Sequence, residues 1–141
     1  MDDGLMRVYN QELMALSAQT EQPYHLTHPD ISAKALSPIC GSEVKVEFSL
    51  RDGRVVGFGY ETEACALTRS VLAVMKTAVL GKTRQEILQA GADLRRMLAG
   101  GAAPGGDWAR LEILAPVRDY KARHDSILLP FEAAEKAFRT I

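Results

Sequence analysis

Val44, Val46, Phe48 and Leu50 alternate with Glu43, Lys45, Glu47 and Ser49, the period of two expected of a strand with one buried face. Asp52-Gly53 follows as a tight-turn signal, and Val55 to Thr62 returns as the antiparallel partner. Ile31 to Leu36 reads as an edge strand. Elsewhere the period is helical. Leu5, Val8, Tyr9, Leu13 and Leu16 share a face over Leu5 to Ala18, and Leu67, Val71, Leu72, Val74, Met75 and Val79 predict a helix from Cys65 to a stop at Gly81. Thr83 and Glu86 form a capping box for a short helix through about Ala90, and a further helix is expected from about Asp93 to Ala99. Ile127, Leu128, Phe131, Ala134 and Phe138 place a last helix between about Ala122 and Phe138. Pro130 either kinks it or moves its start to near Leu129.

Between these elements, Gln19 to Pro29 carries two prolines, two histidines and no period, and Gly100 to Gly106 is rich in glycine; both read as surface loops. Leu111 to Val117 is apolar, short and ends near Pro116, which fits a helical or an irregular segment. The fold class that follows is α+β, a small antiparallel sheet of about three strands packed against several helices. With 141 residues, 47% of them hydrophobic, the chain suits a single domain over 1–141.

Charge narrows the choice of partners. Seventeen basic and eighteen acidic residues leave a net charge of −1, which offers no global attraction for nucleic acid. No apolar run approaches the roughly 18 residues that cross a bilayer, and Met1-Asp2-Asp3-Gly4 is acidic where a secretory signal is basic. The expected location is the cytoplasm, without a membrane partner.

Candidate chemistry centres on two cysteines. Cys40 opens a strand in Pro38-Ile39-Cys40-Gly41-Ser42, and Cys65 stands at a strand-to-helix junction in Glu63-Ala64-Cys65-Ala66-Leu67. The open N–H groups and dipole of a helix N-terminus lower a thiol pKa. The hairpin brings both cysteines to one end of the sheet, where two thiolates make half of a tetrahedral metal site and His124-Asp125 offers the other half. The competing reading is plain core packing, since free cysteine is among the most often buried residue types, with His124 and Asp125 a surface pair near a helix start. His25 and His28, with Asp30 close by, lack a helix to align them and read as a solvated loop. Trp108 and Phe131 read as core or subunit contacts.

Taken together, Cys40-Gly41, the stretch Glu63 to Ser70 around Cys65, and the stretch Tyr120 to Leu128 resemble the NifU-like family of iron–sulfur cluster assembly scaffolds, which includes IscU and SufU. The resemblance covers nearly the whole chain and implies the NifU N-terminal, SufE-like fold. It also implies a scaffold or carrier rather than a catalyst, handling iron or a transient iron–sulfur cluster. A cysteine desulfurase as sulfur source and recipient apoproteins are the partners it implies, with a homo-oligomer left open. A zinc-binding, SufU-like role in sulfur transfer is the alternative, and a member with a purely protein-binding role is another.

Two departures bear on the site. The family's Cys-Gly-Asp stands here as Cys40-Gly41-Ser42, and its His-Cys-Ser-Ile-Leu stands as His124-Asp125-Ser126-Ile127-Leu128. Asp125 therefore occupies the place of the third cysteine, and a carboxylate cannot carry sulfane sulfur. The metal set implied is Cys40, Cys65, Asp125 and His124, with Cys65 the persulfide acceptor. Gly100 to Gly106 falls where SufU-like members carry an insertion, and Leu114-Ala115-Pro116-Val117-Arg118 is the nearest match to the IscU-like chaperone motif.

Overall fold

The computed structural model describes residues 9–39 and 41–141. Three antiparallel strands, β1 (Ile31–Leu36), β2 (Glu43–Arg51) and β3 (Arg54–Glu63), lie in chain order across the sheet. Asp52 and Gly53 both adopt positive φ (52° and 75°) between the paired residues Arg51 and Arg54, the two-residue turn whose twist matches a hairpin. The alternation in β2 is realised: Val44, Val46 and Phe48 are fully buried. Phe48 meets Phe58 and Phe138 with ring centroids 5.2 and 4.9 Å apart.

Among the described residues, four α-helices follow the same logic: α1 (Gln11–Ala18), α2 (Ala66–Ala78), α3 (Arg84–Leu98) and α4 (His124–Phe138). Helix α2 is the hub. It packs on α1, α4 and β3, and Leu67, Val71, Leu72 and Met75 are all fully buried. Helix α4 covers β1 and β2. The opposite sheet face carries Lys34, Glu43, Lys45 and Glu61, and is crossed in part by the 24–26 segment, where Leu26 N–H donates to Glu47 at 2.9 Å.

Some of the elements differ from expectation. The first described helix begins at Gln11, because Asn10 takes an extended conformation and its Oδ1 accepts from Leu13 N–H at 2.9 Å; Asn caps an end better than it continues a turn. Leu5 and Val8, expected in that helix, lie outside the described residues. The two short helices expected over 84–99 are one helix, and its capping box is formed as read, with Thr83 and Glu86 exchanging bonds of 3.2 and 3.1 Å. Gly91 does not break it, because the missing side chain lets the Phe131 ring close on the helix: a Cβ there would stand 3.1 Å from Phe131 Cδ1.

The Leu111–Val117 stretch belongs to a longer 3₁₀ segment, Gly106–Asp119, with Pro116 inside. Its buried residues, Trp108, Leu111, Leu114 and Val117, recur every three positions, which a helix of three residues per turn places on one face. Trp108 and Phe131 are core residues, with ring centroids 5.5 Å apart. Pro130 neither delays nor ends α4, which starts at His124.

Candidate metal and sulfur site

Cys65 is half-buried at the N-cap of α2, with extended backbone (φ −73°, ψ 168°). Its sulfur stands where a capping oxygen would, facing the first N–H groups of the helix without a formed capping bond. The strand-to-helix junction is held by Arg69. Its guanidinium donates to Ala64 O at 3.0 Å, Thr20 O at 3.0 Å and Thr62 O at 3.3 Å, filling a rigid fork with three backbone carbonyls.

Burial pushes the Cys65 thiol up, yet the Thr68 and Leu67 N–H groups and the Ser126 hydroxyl, with the Thr68 hydroxyl in reach when it turns from Ser126 O, together hold it below its ordinary value. The direction agrees with a helix N-terminus acting on a thiolate. Thr68 is fully buried, and its hydroxyl lies 2.8 Å from Ser126 O and 3.5 Å from Cys65 Sγ. A hydroxyl has one proton, and the shorter contact takes it, so the neutral thiol donates into Thr68 Oγ1. Once the thiol ionises, the Leu67 and Thr68 N–H groups and the Ser126 hydroxyl are the donors it meets first, and the Thr68 hydroxyl can turn to join them.

Pro130 is the reason that the Ser126 carbonyl takes its bond from Thr68. In an α-helix the N–H four residues on would bond that carbonyl, and proline has none. Thr68 replaces the missing donor and ties the first turn of α4 to the Cys65 turn. On the outer side, Arg123 donates to Tyr9 Oη at 3.4 Å. Burial raises the Tyr9 phenol, the Arg123 charge pulls it down, and the Cys65 thiolate raises it again, so Tyr9 stays protonated within electrostatic reach of the sulfur.

Of the residues expected at a metal site, Cys40 lies outside the described residues. Its neighbours are ordered around the same end of the sheet. Gly41 adopts φ +72° and its N–H reaches Ser37 O at 2.9 Å, Ser37 N–H reaches Ser42 O at 2.8 Å, and Cys65 N–H donates to Ser42 Oγ at 3.4 Å. Asp125 is exposed in the first turn of α4, directly before Ser126. His124 turns its Nε2 to the carbonyls of Val117 and Arg118, both at 3.1 Å, which leaves Nδ1 as its remaining ligand atom. Among the described residues no three His, Cys, Asp or Glu side chains gather tightly enough to hold a metal ion. His25 lies between two carboxylates, 3.5 Å from buried Glu47 and 3.4 Å from Glu61, while Asp30 accepts from Leu50 N–H at 2.6 Å.

Thr68, Arg69, Ser126 and Tyr9 were not singled out by sequence, although the offset of four from Ser126 to Pro130 was a readable signal. No family model matches the chain. In overall structure it is similar to the N-terminal domain of a nitrogen-fixing NifU-like protein from Brucella abortus, with 39% identity, coverage of 96% of this chain and 95% of that one, and a TM-score of 0.91.

The chain belongs to the NifU-like family. This is the IscU/SufU family of iron–sulfur cluster assembly scaffolds. A curated relative, the iron–sulfur cluster assembly scaffold protein IscU of Thermotoga maritima, is 21% identical over 102 residues, 72% of each chain. A SUF-system scaffold from Fervidobacterium islandicum AW-1 shares the fold at 23% identity, with a TM-score of 0.84 over 92% of this chain and 96% of that one. The NifU-like fold of this chain is the three-stranded sheet with helices described above. Among the described residues no helix is long and apolar enough to cross a membrane.

Proposed function

We propose that this chain is a single-domain, cytoplasmic scaffold or carrier on which iron and sulfur are brought together. The observation that carries the reading is Cys65: a half-buried thiol at a helix N-cap, held below its ordinary pKa and bonded through its own N–H to Ser42, two residues beyond Cys40. Iron or the nascent cluster is cargo here. Cys40 and Cys65 would bind it as thiolates, Asp125 would add an oxygen, and His124 would add Nδ1 or remain an orienting neighbour. One sulfur fewer than the family pattern makes the site a place of passage, since thiolates are the usual ligands that retain such clusters.

Sulfur would come from the persulfide of a cysteine desulfurase. Cys65 thiolate attacks the terminal sulfur, a new S–S bond forms at Cys65, and the old S–S bond breaks to release the desulfurase cysteine as thiolate. The transferred sulfur keeps its oxidation state, so no further oxidant or reductant is needed. Recipient apoproteins then take the product.

Metal and sulfide content of the purified chain, before and after anaerobic reconstitution with ferrous iron and sulfide, tests this. Labile iron with sulfide, lost in Cys40→Ser and Cys65→Ser, is the expected result. Tightly held zinc would instead place the chain in sulfur transfer as a zinc protein, and neither metal would leave a protein-binding role.

A further inference from the structure

The free edge of β3 is covered in two places and open between them. Tyr24 and Tyr60 exchange both backbone bonds, at 3.0 and 2.7 Å, and Val55 exchanges with Lys82 O and Gly81 N–H at 2.9 and 2.8 Å. Register decides what lies between. Val44, Val46 and Phe48 turn their N–H and C=O groups to β1, as the Asp30 N–H to Phe48 O bond of 2.8 Å shows, so Tyr60 and Phe58 opposite them turn theirs outward. Tyr60 has Tyr24 as partner; the Phe58 N–H and C=O have none among the described residues.

This gap opens into a groove of about 480 Å³ lined by Tyr24, Leu26, Val56, Thr77 and Leu80, with Lys76 its one charged wall among the described residues. Tyr24, Val56 and Leu80 are 59%, 55% and 48% exposed, a cluster of large apolar side chains left to solvent beside the sheet edge. Lys76 spends one bond on Gln19 O at 2.9 Å and retains two N–H donors.

We propose that this window is a docking site for an extended apolar segment of another protein. The segment adds about three residues as a short fourth strand and places a carboxylate near Lys76. An unpaired donor and acceptor on one strand residue ask for a backbone, not merely for grease, and apolar walls on both sides of the strand suit its alternating side chains. The length follows from the plugs: five residue steps from Val55 to Tyr60 span at most about 16 Å at about 3.3 Å each, less the extra residue Val56 at the register shift opposite Ser49 and Leu50, and the Tyr24 and Lys82 crossings take the two ends. A second copy of this chain does not fit, because pairing Phe58 with its twin would put Val56 of the copy opposite Tyr60, where Tyr24 already sits.

The test uses the ¹⁵N-labelled full chain and a capped peptide, acetyl-Asp-Val-Thr-Val-amide, beside the same peptide N-methylated at threonine. Saturable amide shifts at Tyr24, Val56, Phe58 and Leu80 are expected, with slowed hydrogen exchange of the Phe58 amide. N-methylation and Leu80→Lys should each weaken binding about tenfold, the scale of one lost hydrogen bond or apolar anchor. Absence of shifts at millimolar peptide, equal binding of the methylated peptide, or concentration-dependent dimerisation that protects Phe58 without peptide would each overturn the proposal. The groove lies toward the hairpin end of β3, away from Cys65, so either result leaves the metal measurements unaffected.

Discussion

Thr68→Val isolates the link between Cys65 and α4. The substitution keeps the side chain's shape and removes its hydroxyl, so the Ser126 carbonyl, buried at the start of α4, loses its 2.8 Å donor. In an ordinary helix the carbonyl would fall back on the N–H four residues on, but that residue is Pro130. A buried carbonyl left without a partner costs about 1–3 kcal/mol, and that is the expected loss of stability.

Pro130→Ala supplies the missing N–H, so in that background Thr68→Val should cost less by about 1–2 kcal/mol, the value of the rescued bond. Urea unfolding of the four proteins, read as midpoints at constant m-value, gives the coupling directly. Additivity within about 0.5 kcal/mol would refute the reasoning, because it would mean that the Ser126 carbonyl does not exchange one donor for the other.

Four further outcomes follow. Alkylation of Cys65 should reach half its maximal rate at a lower pH than a free thiol, and Ser126→Ala should move that midpoint upward; mass spectrometry across a pH series reads both. Because the folded-state thiol titrates below the unfolded one, its ionisation adds stability that is fully present above the unfolded thiol's range and lost as pH falls through the folded value. The urea midpoint of the metal-free chain should therefore gain on that of Cys65→Ala as pH rises through that window. Asp125→Cys should raise iron and sulfide retained per chain after reconstitution, since it adds a soft ligand; equal retention would place Asp125 off the site. Gly59→Ala should destabilise by about 1–3 kcal/mol in thermal unfolding, as its Cβ would press on the Glu47 carboxylate and stand 2.9 Å from Tyr24 O.

Much of the molecule was legible in the chain because the signals were local. The period of two in Glu43 to Phe48, the Asp52-Gly53 turn, the Thr83–Glu86 capping box and the strand-to-helix step at Cys65 each act over a few residues, and each formed as read, while Leu50 is half-buried at a register shift. Where the sequence misled, a distant partner had decided. The two short helices expected over 84–99 are one, and Gly91 between them is the notch that admits Phe131. Trp108, Leu111, Leu114 and Val117 follow a period of three, yet only their burial against the helices α2 and α3 sustains so long a 3₁₀ segment.

The site divides in the same way. Its thiols and the position of Cys65 at a helix start are properties of the sequence, fixed by turn and cap chemistry within one stretch of chain. The donors that set how the Cys65 sulfur behaves are not: Ser126 lies 58 residues from Thr68, to which its carbonyl is bonded, and Arg69 reaches 49 residues back to Thr20. Such bonds exist only once α2 and α4 have packed, because no local pattern specifies which buried carbonyl a hydroxyl or guanidinium will find. Sequence alone determined what could ionise; tertiary packing decided which groups would be there to stabilise the charge.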